Sequence, residues 1–159
     1  MTARETESRV AGARVAEALG SLLLRGNRMH LYDRLATAAK GLDATTYPVL
    51  SGLARTGPCT ATQLAGRIGL DRTVTTRYAT RLEHAGLLVR EPDPDDARAT
   101  RLVLTAAGST AIAAARTALE ELIGEVLATW APGEGPAFAE ALDRFVGALG
   151  AGRRDPAAG

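Results

Sequence analysis

A chain of 159 residues is long enough to bury one core without disulfide or metal staples. Hydrophobic residues make up 46%, charged residues 23% and aromatics only 4%, a globular composition carried by Ala and Leu that excludes the disordered and fibrous classes. The net charge of +1 hides a basic middle and an acidic C-terminal part: residues 1–54, 55–105, 106–150 and 151–159 carry +2, +2, −4 and +1. Between Arg67 and Arg90 five arginines face only Asp71 and Glu83, so an anion-facing surface is expected there.

The longest stretch without a charged residue, Leu102 to Ala115, is shorter than the ~18 residues of a spanning helix, and no membrane association is expected. The opening Met1 to Glu7 carries acids where a signal peptide carries bases, which predicts a cytoplasmic protein. Cys59 is the lone cysteine, and it lies far in sequence from His30 and His84; we therefore expect no internal disulfide, no metal and no cofactor.

The first periodic pattern places Val15, Leu19, Leu22, Gly26 and Met29 on one stripe, predicting a single long helix over about 10–40 that ends at Gly41. A second helix is expected to start near Thr46, with Pro48 in its first turn and Val49, Leu50 and Leu53 inward. After Gly57-Pro58, Thr60 and Gln63 stand at capping-box spacing ahead of a third helix that stops at Gly69. Asp71 caps a fourth helix, which closes at Gly86. Leu87 to Arg90 and Arg101 to Thr105 read as the strands of a hairpin, with Asp93-Pro94-Asp95-Asp96 as its turn. A fifth helix from Ala106 runs until Pro132-Gly133, a sixth from about Pro136 carries Phe138, Leu142, Phe145 and Leu149, and 151–159 is expected to be a flexible tail.

Helix, glycine turn, helix and hairpin in that order form a winged helix-turn-helix. Leu64, Ile68, Leu70, Thr75, Tyr78 and Leu82 supply its inward contacts, leaving Arg72, Thr73, Val74, Thr76, Arg77 and Arg81 outward on the fourth helix. Arginine can make paired bonds to guanine or hold phosphate, threonine can reach either, and valine can touch a thymine methyl. Thr60, Thr62 and Gln63, at the start of the preceding helix, complete the candidate DNA-binding set. On local charge alone a solvated helix face explains the same arginines equally well, and the adjoining turn and wing favour the nucleic-acid reading. No nucleophile triad, phosphate-cradling glycine loop or metal-ligand pair at catalytic spacing is found, so no enzymatic activity is expected.

From Gly41 to Thr105 the chain resembles the MarR family of bacterial transcriptional regulators. The matching pieces are Tyr47-Pro48-Val49-Leu50, Thr62-Gln63-Leu64-Ala65, Ile68-Gly69-Leu70-Asp71-Arg72, Thr76-Arg77, Arg81-Leu82-Glu83, Gly86-Leu87-Leu88-Val89-Arg90, Asp93 through Arg98, and Leu104-Thr105. The resemblance implies a mainly α fold with a small β-hairpin wing: a winged helix-turn-helix lobe over 43–105 and dimerisation helices over 10–40 and 106–150. It further implies a homodimer straddling a pseudo-palindromic operator in double-stranded DNA, acting as a repressor. Arg98 at the wing tip would enter the minor groove, with Asp96 bracing it. Asp93, Asp95 and Asp96 would otherwise repel DNA, so they are expected to pair with Arg98, Arg90 or Arg101. Two departures stand out: Thr73-Val74-Thr75 exchanges the usual order after the arginine, turning Val74 outward, and Ala97 replaces a frequent arginine.

Relatives of this type often hold a small anionic aromatic effector between the dimerisation helices and the DNA-binding lobe. His30, Tyr32 and Tyr47 are the groups expected to border such a cleft, core or interface packing being the competing explanation for each. Two alternatives to a DNA-binding regulator of this kind stand beside it: a winged-helix protein-interaction module without DNA binding, and a thiol-based redox regulator acting through Cys59.

Overall fold

The computed structural model describes residues 2–96 and 98–151. Ala97 and the tail beyond residue 151, for both of which the sequence carries an expectation, lie outside the described residues. The chain divides into two compact units, Met1–Ala118 and Leu119–Gly159.

The first unit opens with α1 (Ala3–Leu23) and α2 (Arg25–Ala36). The single helix expected over 10–40 is thus two, shifted toward the N-terminus. Thr2 and Glu5 form a capping box that starts α1 seven residues early. The break falls at Leu24, whose ψ of 135° is extended rather than helical. There the Asn27 side-chain amide donates to the Ser21 carbonyl at 2.7 Å, taking an acceptor that a continuous helix would satisfy from its own backbone. Among described residues α1 buries none, and α2 buries only Leu35 and Ala36 at its end.

The winged lobe follows the expected order: α3 (Tyr47–Thr56), α4 (Ala61–Ile68), α5 (Arg72–His84), β2 (Leu88–Pro92) and β3 (Thr100–Leu104), then α6 (Ala106–Leu127). A further strand, β1 (Cys59–Thr60), not expected from the sequence, pairs antiparallel with β3, Cys59 opposite Leu102 and Thr60 opposite Arg101. The sheet order is β1-β3-β2. β2 runs through Pro92 rather than ending at Arg90, and its Arg90 stands opposite Leu102.

Val49, Leu50 and Leu53 of α3, Leu64 of α4, Leu82 of α5, Leu88 and Leu102 of the sheet and Ala111 of α6 close one core. At about 25 cal/mol per Å² of apolar surface, burying these side chains is what fixes α5 against the sheet. Two close approaches set the geometry. A Cβ on Gly52 would lie 2.4 Å from the Ile68 Cγ2, so only glycine lets α3 and α4 cross there. A Cβ on Gly108 would lie 1.8 Å from the Leu87 carbonyl oxygen, so α6 leaves the sheet in backbone contact with it.

In the second unit α7 (Glu134–Ala151) buries no described residue. α6 ends at Leu127, five residues before Pro132, because two turns formed by the Thr129 and Trp130 amides close it first. Trp130 meets Phe138 edge-on with ring centres 5.2 Å apart. Val126, Leu142, Phe145, Val146 and Leu149 remain exposed.

A candidate nucleic-acid interface and an adjoining cleft

Helix α5 is fixed at its start by Asp71, whose carboxylate accepts the Thr73 amide at 2.7 Å and the Val74 amide at 3.2 Å. These bonds hold the Asp71 carboxyl below the usual aspartate range. Gly69, at φ 67°, makes the left-handed turn that brings α4 into α5. Thr75 sits inward and donates its hydroxyl to the Asp71 carbonyl at 2.9 Å, as its exchanged position predicts. Ahead of the turn, Thr60 Oγ1 accepts the Gln63 amide at 3.2 Å and Gln63 Oε1 accepts the Thr60 amide at 2.9 Å.

The six arginines of α5 and the wing divide into two groups, while Arg55 and Arg67 elsewhere in the lobe are exposed and make no ion pair among the described residues. Arg81 pairs with Asp43 and donates to the Thr45 hydroxyl at 2.9 Å, tying the end of α5 to the loop before α3. Burial works against the Asp43 charge, but it is outweighed by hydrogen bonds from the Thr45 hydroxyl and the Thr46 and Thr45 amides and by the Arg81 charge, so this carboxyl is held low. Arg90 reaches Glu83 at 3.0 Å and the Thr80 hydroxyl at 3.0 Å, bracing the wing on α5. Arg101 pairs with Glu91 across the hairpin at 3.0 Å. Arg72, Arg77 and Arg98 make no ion pair among the described residues, and all three are exposed.

Among the described residues the turn aspartates do not take the arginine partners expected of them. Asp93 Oδ1 accepts the Asp95 amide at 3.0 Å, and Asp96 Oδ1 accepts the Arg98 amide at 2.9 Å. Their carboxylates satisfy turn amides, which is the commoner task of Asp in a tight loop. Asp96 therefore braces Arg98 through its backbone, and the guanidinium stays available.

A groove of about 590 Å³ lies between α5 and the wing. Thr60, Thr62, Arg72, Thr76, Arg90 and Arg98 contribute to its walls, bringing together six of the predicted residues. Thr73 is exposed on the first turn of α5 and Gln63 is engaged in the capping box. Val74, expected to face outward, is half buried and borders a different cavity.

That cavity, about 480 Å³, lies between α2 and the α3 and α4–α5 elements. Tyr32 lines it; Tyr47 is buried beside Tyr32 with ring centres 5.0 Å apart, and His30 is exposed outside the lining. Arg25, Arg28 and Met29 of α2 also line it, none of them among the groups expected to border a cleft. With Tyr32 they stand at offsets of three, four and seven residues along α2, the signature of one helical stripe.

Cys59 is buried, 5% exposed, with its sulfur 3.6 Å from the Thr56 hydroxyl. No group of three His, Cys, Asp or Glu side chains able to hold a metal occurs among the described residues, and no described helix is long and apolar enough to cross a membrane.

The MarR family model matches residues 42–100, the segment that builds this interface. An uncharacterized HTH-type transcriptional regulator of Bacillus subtilis, YcgE, is 39% identical over 78 residues. That match takes in 49% of this chain and about half, 51%, of the relative. The crystal structure of the MarR family transcription regulator SP03579 covers 92% of this chain and 95% of its own at 25% identity, with a TM-score of 0.66. PcaV of Streptomyces coelicolor, solved in complex with its natural ligand, covers 86% and 92% at 23% identity and a TM-score of 0.54, a likeness of fold. Residues 42–100, the winged helix-turn-helix, match the MarR family model, and the fold resembles that of solved MarR family transcription regulators.

Proposed function

We propose that the protein is a homodimeric, sequence-specific DNA-binding repressor that recognises a pseudo-palindromic operator and is released by a small aromatic anion. The observation that carries the DNA-binding part is the groove between α5 and the wing, to whose walls Arg72 and Arg98 contribute with no ion pair among the described residues, while Arg81, Arg90 and Arg101 are paired within the lobe. An unpaired guanidinium on a scaffold that satisfies its neighbours is available for phosphate or a base edge. Arg72, Thr73, Thr76 and Arg77 would enter the major groove, with Thr60, Thr62 and Gln63 beside them. Arg98 would enter the minor groove, and Arg90 and Arg101 would hold the wing in register.

Dimerisation is supported by α1 and α7, which bury no described residue and expose large apolar side chains such as Leu22, Leu23, Phe145 and Leu149. The small-molecule part rests on the second cavity, which Tyr32 lines and Tyr47 backs. The burial of Cys59 gives a thiol switch no accessible sulfur to act through.

The test is selection of duplexes from a genomic library by the full chain, followed by titration at several salt concentrations. A short inverted repeat should be recovered, with Arg98→Ala lowering the log–log salt slope by about one. Absence of retardation of any fragment at low salt would sink the reading in favour of a protein-interaction module.

A further inference from the structure

From α5, the groove between that helix and the wing is lined by Arg72 and Thr76, one helical turn apart. Val74, expected to touch a thymine methyl, is half buried against a different cavity, so on the α5 side this groove is read by those two. Their hydrogen-bonding senses are opposite. A guanidinium only donates. Thr76 Oγ1 lies 2.9 Å from the Arg72 carbonyl oxygen, and a carbonyl only accepts, so the single hydroxyl proton is spent on the backbone. Among the described residues nothing donates to the Thr76 hydroxyl, and the residue is exposed, which leaves its lone pairs for a donor from outside. Nearby threonines are engaged differently. Thr80 donates to the Thr76 carbonyl at 3.1 Å and accepts Arg90 at 3.0 Å, which makes it a strut between α5 and the wing. Thr60 Oγ1 accepts the Gln63 amide at 3.2 Å and keeps its proton for a phosphate oxygen.

We propose that Thr76 is a specificity-determining residue that reads the exocyclic amine of adenine or cytosine, through a hydroxyl fixed as an acceptor by the Arg72 carbonyl. The proposal rests on the DNA-binding reading above and names the class of base that one of its residues selects. In the major groove adenine and cytosine present an amine, whereas guanine and thymine present only acceptors beside which an acceptor-only hydroxyl stays unpaired. Every base pair carries one such amine, on one strand or the other. Thr76 therefore does not tell A·T from G·C. It fixes which strand holds the amine, so the position it reads tolerates exchange of adenine for cytosine and resists reversal of either pair.

The experiment uses the full chain and a duplex selected by the wild type, with all four base pairs placed in turn at each position of a half-site. Wild type, Thr76→Val, Thr76→Ser and Thr80→Val are titrated against this set at several salt concentrations; Thr76 is exposed, so its two substitutions leave the core untouched. At one position per half-site the wild type should prefer adenine and cytosine over guanine and thymine on the same strand by about 2- to 12-fold, the worth of one neutral hydrogen bond. Thr76→Ser should keep that order. Thr76→Val, of the same shape without the acceptor, should lose it there, keep the preferences elsewhere and leave the salt slope unchanged, since no phosphate contact is removed. Thr80→Val should change affinity for all four pairs by one factor, as a strut does. A guanine or thymine preference that disappears in Thr76→Val would overturn the proposal, because the hydroxyl would then be donating. Uniform weakening of all four pairs by Thr76→Val would overturn it by assigning the residue to the backbone, and identical preferences in wild type and Thr76→Val would overturn it outright. Failure of the wild type to select any duplex is a separate result, which sinks the DNA-binding reading and this assignment with it.

Discussion

Arg90 and Arg98 stand eight residues apart in the wing, and their side chains face different tasks. Arg90 holds Glu83 and Thr80 on α5, whereas Arg98 has only its amide engaged, by Asp96. Replacing Arg90 by Ala should lower stability by about 0.2–1 kcal/mol, the range of a half-exposed ion pair, and weaken duplex binding through wing placement. Denaturant melts of Arg90→Ala and Arg98→Ala should therefore separate them, with Arg98→Ala melting like wild type while losing duplex affinity. Among the described glycines, Gly108 makes the closest approach. Its Cβ would overlap the Leu87 carbonyl, so Gly108→Ala should cost about 1–3 kcal/mol or more in a urea titration, despite adding only one methyl. Which arginines would be free was not legible in the sequence, because Arg90 finds its acid on α5 and Arg81 finds Asp43 in a loop 38 residues earlier. Partners at such separations are set by packing, and local spacing carries no trace of them.

At the level of elements, caps were the legible signals, because a cap is satisfied within four residues of its own position. Thr60 with Gln63, Asp71 and Gly69 all fall where their residue types place them. The Leu24 break and β1 were not legible. The first involves a side-chain amide sharing the Ser21 carbonyl with the Leu24 backbone amide, and the second is two residues whose partners lie some forty positions later. The α2 stripe of Arg25, Arg28, Met29 and Tyr32 was readable from spacing but is masked by the break, which resets the phase inherited from α1. Thr60→Ala should remove about 1 kcal/mol by thermal melting, since it deletes the capping oxygen at the start of α4. Acid should act through the Asp71 cap and the Asp43 loop. The Asp71 and Asp43 carboxyls are both held below their unfolded value of about 3.9, so the stabilisation they provide is complete above that pH and is lost as pH falls through their lower native values. An acid titration followed by circular dichroism should show the winged lobe unaffected by these groups between neutral pH and about 5, with Asp43→Asn removing part of the decline below 4.

For the molecule as a whole, α1 and α7 bury no described residue and expose large apolar side chains, among them Leu22, Leu23, Phe145 and Leu149. Self-association should make the melting temperature rise with protein concentration. The exposed α7 pair offers a variant that leaves the core untouched: Leu142→Asp with Phe145→Asp should yield monomer by sedimentation. The same pair should weaken binding to a two-half-site duplex by about 10²–10⁴, the gain that linking two lobes supplies, while barely changing binding to a single half-site. An unchanged dimer in that variant would move the association surface away from α7. The order of lobe and flanking helices was legible from periodicity, but periodicity says only that a face is apolar, and leaves open what covers it.

Thr60 is at once the last residue of β1 and the N-cap of α4, so a sheet and a helix meet at one amino acid. Inserting a residue on either side of it would force a choice between strand register and cap. A change of length is accommodated more readily in the hairpin connection between Pro92 and Thr100, which shares no residue with α4 or α5.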